Sequence, residues 1–172
     1  MDYCYDLYTS QDNYRGGKYL PGYWSISYHV GFGMLSGALP SGRKKGKPFT
    51  PGLTPAPGSK DQLLPNIRTI SKLNHLKMPN NIAFNVKLVP NSNDTHEQTL
   101  DYFTSYVQSY IEMGGMQWQF NVITSDTLRD AMENPDDYRW LIVRISGYNA
   151  YFTKINRNMQ MELIERTEFG AK

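Results

Sequence analysis

The sequence predicts an α/β fold, on three observations. Short apolar runs bounded by turn residues alternate with longer stretches whose apolar residues recur every three or four positions. Glycine, proline and small polar residues punctuate the joints between them. A chain of 172 residues also suits one layered unit with one core, burying about 70% of its unfolded surface.

The elements follow in order. Tyr23-Trp-Ser-Ile-Ser-Tyr-His-Val30 alternates large apolar with small polar residues and reads as a strand. Lys47 to Gly58 holds four prolines and two glycines, which forbids regular structure and marks a long loop. Either it is a plain linker or it is ordered for a purpose, as long loops inside compact domains often are. Ile82 to Leu88 is a second strand, ended by Pro90. Asp94 and Glu97 have capping-box spacing. Behind them Leu100, Phe103, Val107, Tyr110 and Ile111 recur at helical spacing as a core face, and Gly114-Gly115 stop the helix. A strand from Trp118 to Ile123 follows, then a helix capped at Ser125 and ending before Pro135. A strand from Trp140 to Ile145 and a final helix near Arg157–Thr167 complete the chain. On that last helix Glu162, Glu165 and Arg166 read as a solvated face, with Glu162 and Arg166 paired at i,i+4.

Composition narrows the function classes. A net charge of +2 implies no polyanionic partner, so no nucleic acid is expected. Arg43-Lys44-Lys45, with Lys47, is the one basic run and reads as a solvated loop, with phosphate binding the lesser alternative. No apolar stretch reaches membrane-spanning length and no leader pattern opens the chain, so no membrane association is expected. A single cysteine, Cys4, excludes a disulfide framework and fits a cytoplasmic location. His29, His75 and His96 lack metal-ligand spacing, and no metal site is expected.

One residue stands apart. The apolar run Trp140-Leu-Ile-Val-Arg-Ile145 ends on Gly147, with Tyr148, Tyr151 and Phe152 beyond it. This surrounding predicts a glycine buried among aromatics. Two explanations fit it. Gly147 serves sterically, taking a positive φ or admitting a close backbone approach. Alternatively it is the reagent. Removing an α-hydrogen leaves a carbon radical shared between an electron-donating amide nitrogen and an electron-withdrawing carbonyl. That sharing requires planarity, which any Cβ would crowd.

Arg144-Ile-Ser-Gly-Tyr148 resembles the signature of the glycyl radical enzymes, the family of pyruvate formate-lyase. Further matches stand in the right order. Ser125 to Tyr138 resembles the helix and turn leading into the radical strand, and Met161 to Glu168 the closing helix. Leu39 to Phe49 resembles the glycine–arginine loop, and Gln117 to Val122 one of the barrel strands. The resemblance runs from about Gly22 to the C-terminus.

It implies the C-terminal part of a ten-stranded α/β barrel, with residues 1–20 a lead-in and 21–172 the barrel portion carrying the glycine radical domain. Sheet edges and apolar faces left open would then need covering by another partner. It also implies a radical stored on Gly147, installed by an activating enzyme that uses S-adenosylmethionine and an iron–sulfur cluster. No cofactor is bound by the chain itself. Arg144, Ser146 and Tyr148 match the segment the activating enzyme recognises, although a buried ion pair is an equal explanation for Arg144. Tyr151 and Phe152 pack around the loop. The radical takes hydrogen from a cysteine, and the thiyl radical attacks substrate.

Cys4 matches no family cysteine loop, so the relay cysteine is expected outside this chain, which alone should not turn over substrate. Three accounts follow. The chain is the C-terminal portion or a separate subunit of an oxygen-sensitive enzyme of anaerobic metabolism, whose parent is a homodimer. Or it is a spare part that restores an oxygen-cleaved enzyme, or a silent binding domain. The first is favoured, because Tyr23–Val30 and Gly42-Arg43 are more than a replacement tail needs. The flanking residues resemble the dehydratases, aryl-acetate decarboxylases and succinate-adding members more than pyruvate formate-lyase itself. The cysteine–zinc site of anaerobic ribonucleotide reductase has no counterpart.

Overall fold

The structure, a computed structural model, describes residues 1–57, 62–80 and 82–170. The last residue of the predicted loop, Gly58, and the chain's final two, Ala171 and Lys172, lie outside them. Six helices are described: α1 (Asp2–Thr9), α2 (Tyr28–Leu35), α3 (Leu63–Ile70), α4 (His96–Glu112), α5 (Ser125–Glu133) and α6 (Arg157–Glu165). Five strands are described with them: β1 (Asn85–Val89), β2 (Gln119–Asn121), β3 (Ile142–Arg144), β4 (Asn149–Tyr151) and β5 (Glu168–Gly170).

The predicted α/β class holds. A parallel three-stranded sheet in the order β2-β1-β5 places Val86 opposite Phe120 and Lys87 opposite Glu168. Helix α4 makes the crossover between β1 and β2, and strands joined through helices pair in parallel. β3 and β4 form a separate antiparallel hairpin.

Two apolar clusters result. One packs Leu63 and Ile67 of α3, Val86 and Leu88 of β1, Tyr110 of α4 and Phe169 of β5, with Phe84 beside them. The other packs Leu128 of α5, Val143, Ile145, Phe152, and Met159 and Leu163 of α6. Lys87 fastens the sheet to the second cluster. Buried on β1, its ammonium donates to Ser125 Oγ at 2.6 Å and to the Ile164 carbonyl at 2.9 Å, near the C-terminus of α6. A cation suits that end of a helix dipole. Burial nonetheless lowers its pKa, against the pull of Glu168.

Several expectations are corrected. Residues 23–30 are not a strand: Tyr23 bridges Ile82 and Tyr28 opens α2. The large residues alternate, but the buried ones are His29, Val30 and Gly33, a helical set. Helix α4 is capped by Thr95, whose Oγ accepts from Gln98 N–H at 3.2 Å while Gln98 Oε1 accepts from Thr95 N–H at 2.8 Å. The expected Asp94–Glu97 box is thus shifted by one residue. On the same helix Leu100 and Ile111 are exposed, leaving Tyr110 as the buried residue. Thr124, not Ser125, caps α5, because Ser125 Oγ is engaged with Lys87 and Ile164.

The proline-rich segment has no regular structure through Pro57, yet it is pinned. Gly52 has φ 58°, and a Cβ there would lie 2.3 Å from the Ala83 carbonyl oxygen, which accepts from Leu53 N–H at 2.8 Å. That approach is open only to glycine. No helix of the described residues is long and apolar enough to cross a membrane.

Candidate functional site

The hairpin β3–β4 presents the singled-out glycine. Val143 and Ile145 point into the second cluster, while Ile142 and Arg144 face outward, as strand alternation requires. Ile145 N–H donates to the Tyr148 carbonyl at 3.0 Å, which closes a two-residue reversal over Ser146 and Gly147. Gly147 has φ 84°, a conformation that disfavours any side chain.

Gly147 is exposed, which corrects the expectation that it is buried among aromatics. The reversal carries it past the end of the cluster. Phe152 lies fully in the core beneath, Tyr148 packs half-buried against it and Tyr151 stands out in solvent. Ser146 is 3% exposed, and its Oγ has no hydrogen-bond partner among the described residues. Thus Arg144, Ser146, Gly147 and Tyr148 do form one small assembly, with Ser146 turned inward and Gly147 outward.

Residues that sequence reading missed hold this loop. Gln119 and Asn121 sit at i and i+2 on β2, so both carboxamides face the hairpin. Asn121 Oδ1 accepts from Arg144 N–H at 2.8 Å and its Nδ2 donates to the Arg144 carbonyl at 2.7 Å. Gln119 Oε1 accepts from Gly147 N–H at 3.1 Å and from Arg144 Nε at 2.8 Å. Arg144 Nη1 donates to Asn149 Oδ1 at 3.1 Å. Arg144 therefore bonds carboxamides, and among the described residues it makes no ion pair. The available signal was two amides on one face of an otherwise apolar strand.

From the other side, Arg166, the residue that ends α6, holds the same loop. Arg166 Nη2 donates to the Ile145 carbonyl at 3.0 Å, while Nε and Nη2 make a two-point pair with Glu162, both at 2.9 Å. Glu162 and Arg166 are 5% and 4% exposed, which overturns the solvated face expected there. Their i,i+4 pairing stands. His29 Nε2 lies 3.4 Å from Glu162 Oε2. Burial pushes the Glu162 carboxyl up, but Arg166 and His29 outweigh it and hold the group below its ordinary value. Glu165 faces outward and pairs with Lys47 at 2.7 Å.

Two hollows flank this assembly. A groove of about 710 Å³ runs beside the hairpin between β2 and β3, with Gln119, Asn121, Trp140, Arg144 and Asn149 in its wall. A cleft of about 760 Å³ lies between residues 39–57 and α6, reaching Arg43, Phe49, Glu162 and Arg166. Arg43 is not a solvated side chain. Its guanidinium lies 4.4 Å from the centre of the Phe49 ring and donates to the carbonyls of Gly33 and Gly37. Lys44 and Lys45 remain exposed, as expected. His29 and His75 are buried, His96 is exposed, and among the described residues no cluster of three or more His, Cys, Asp or Glu could hold a metal ion. Cys4 is exposed on α1.

Comparison with known proteins adds the wider frame. A family model described as "Glycine radical" matches residues 49–153. The (2S)-3-sulfopropanediol dehydratase of Klebsiella oxytoca is 33% identical over 171 residues, covering 96% of this chain and 21% of the relative. The indoleacetate decarboxylase of Tractidigestivibacter scatoligenes is 35% identical over 170 residues, covering 97% and 19%. Among solved structures, the glycerol-bound B12-independent glycerol dehydratase of Clostridium butyricum superposes with a TM-score of 0.89 at 35% identity, over 96% of this chain and 21% of that one. The chain thus spans about a fifth of the length of the curated relatives it matches.

Proposed function

The chain belongs to the glycyl radical enzymes as their glycine radical domain, and on that premise we propose that Gly147 is the carbon that stores the radical. The carrying observation is a glycine at φ 84° on a hairpin inside the matched span, its amide held by Gln119 and the carbonyl before Ser146 held by Arg166. The parent is a glycyl radical enzyme with lyase, dehydratase, decarboxylase or formate-acetyltransferase type chemistry. Dehydratases and a decarboxylase among the relatives support the elimination side of that range.

In this reading a separate radical S-adenosylmethionine enzyme removes a hydrogen atom from Gly147 Cα, recognising Arg144, Ser146 and Tyr148. The spin delocalises over the flanking peptide groups. In turnover the glycyl carbon takes a hydrogen atom from a cysteine S–H outside this chain, leaving a thiyl radical that acts on substrate. Residues 21–172 form the C-terminal portion of the ten-stranded barrel, with 1–20 a lead-in. The remainder of the parent, itself a homodimer in an anoxic cytoplasm, covers Gly147 and keeps water and oxygen away.

A second reading, a spare part for an oxygen-cleaved enzyme, draws on the exposure of Gly147 in the isolated chain. Its glycine stands ready for a partner to enclose.

The test is anoxic incubation with an activating enzyme, S-adenosylmethionine and a reductant, followed by electron paramagnetic resonance. A glycine-centred doublet is expected from the chain and none from Gly147→Ala. No doublet in the wild type, or the same doublet in the variant, refutes the assignment. Adding an oxygen-cleaved relative separates the two readings, since only a spare part restores its turnover.

A further inference from the structure

Gln119 is fixed before it meets the glycine. It is 8% exposed on β2, pairs with Asn85 of the buried β1, and its own N–H donates to the Phe84 carbonyl at 2.8 Å. Its carboxamide oxygen receives two donors, Gly147 N–H and Arg144 Nε. The second donor is fixed in turn, because Asn121 binds both backbone groups of Arg144 and Asn149 accepts from its Nη1. The oxygen that faces the glycine amide therefore cannot rotate away without breaking the bond to Arg144.

Such a contact has a chemical consequence at the next atom. An oxygen accepting from an amide N–H draws the proton outward and leaves more electron density on nitrogen. That nitrogen is bonded to Gly147 Cα. A radical on Cα is electron-poor toward nitrogen and is stabilised by what the lone pair lends. The sharing also requires the Ser146–Gly147 peptide plane to align with the flattened carbon, and a fixed acceptor sets that plane. Serine or threonine on β2 would be too short to span the gap, and a hydrophobic residue would leave the amide to water.

We propose that Gln119, oriented by Arg144, is a positioning residue that holds the Gly147 amide and tunes the stability of a radical on its α-carbon. The tuning rests on the radical reading of Gly147; the holding does not. Arg144 thereby has work inside the chain, separate from recognition by an activating enzyme. No bond is made or broken by Gln119, and its oxygen accepts a hydrogen bond before and after hydrogen abstraction.

The test uses the chain labelled with ¹⁵N-glycine, comparing wild type with Gln119→Leu and Gln119→Glu. By NMR the Gly147 amide should exchange about tenfold faster in Gln119→Leu, the order expected for one lost hydrogen bond. Gln119→Glu keeps an acceptor oxygen and should keep the slow rate. Gly33, enclosed against Pro48, reports the fold and should not change. Equal Gly147 rates in wild type and Gln119→Leu overturn the proposal. Should Gly33 accelerate as well, Arg144→Met decides instead. It leaves β2 intact and frees the carboxamide to turn, so Gly147 exchange should rise several-fold, and an unchanged rate again overturns the proposal. After activation, Gln119→Leu should show a changed ¹⁵N coupling and a radical lifetime shortened several-fold. A wild type without a doublet refutes the radical reading while exchange still judges the contact. Doublets of identical coupling and lifetime refute the tuning.

Discussion

Glu162 carries its charge where burial alone would neutralise it. The group stays ionised because Arg166 meets both its oxygens, and its pKa lies below the ordinary carboxylate value of 4.5. A depressed folded-state pKa contributes stability above the unfolded value and loses it as pH falls through the folded one. Replacing Glu162 by Gln strands the Arg166 charge and should cost about 3–5 kcal/mol at pH 7. Urea denaturation at pH 7 and at progressively lower pH should show the gap between wild type and variant narrowing below 4.5. A constant gap contradicts the assignment. At this scale the sequence was a partial guide. The i,i+4 spacing displayed the pair, yet nothing in the spacing told that its face was buried by His29 and the Ile145 carbonyl. The positive φ of Gly147 was one of the two readings of its place in the sequence, but its exposure was not foreseen. A strand's hydrophobicity describes the strand and not the turn that ends it.

Among the elements, those marked by an apolar run or an apolar period between turn residues were legible. Helices α4, α5 and α6 and strands β1, β2 and β3 lie close to where periodicity and turn residues put them. Helix α2 misled because Trp24, Ile26, Tyr28 and Val30 alternate as a strand does, and only packing of His29, Val30 and Gly33 decides for helix. Helix α3 was not foreseen, although Leu63, Ile67 and Ile70 stand at helical spacing with Pro65 in its first turn. Strands β4 and β5 were not foreseen, because neither stands inside an apolar run such as Trp118–Ile123 or Trp140–Ile145, which gave away the equally short β2 and β3. Thr95 gives the element scale its test. Thr95→Ala removes the reciprocal cap of α4 and should cost about 1 kcal/mol by chemical denaturation. Asp94→Ala should stay within about 0.5 kcal/mol. The reverse ranking would restore the cap to Asp94.

At the scale of the molecule, apolar surface gathers near the hairpin. Trp140 before β3, Ile142 on β3, Val122 beyond β2 and Tyr151 on β4 are each more than half exposed. A free-standing protein rarely leaves so many large apolar residues together in solvent. They fit the proposal that the rest of a larger enzyme closes over Gly147. No sequence pattern distinguishes a residue buried by its own chain from one reserved for another surface.

The grip of Arg166 on the Ile145 carbonyl matters if the backbone is ever severed between Ser146 and Gly147, as oxygen is expected to do to the activated protein. The distal piece would keep β4 zipped to β3, β5 zipped to β1 and Arg166 latched on the proximal piece. Lys87 would still bind the end of α6. Air-exposed protein should therefore run as two bands in detergent yet elute at unaltered size from a native column. Separation without denaturant would mean that the latch does not hold. Damage of this kind would pass unnoticed by any assay of shape, and only the mass of each strand of polypeptide would disclose it.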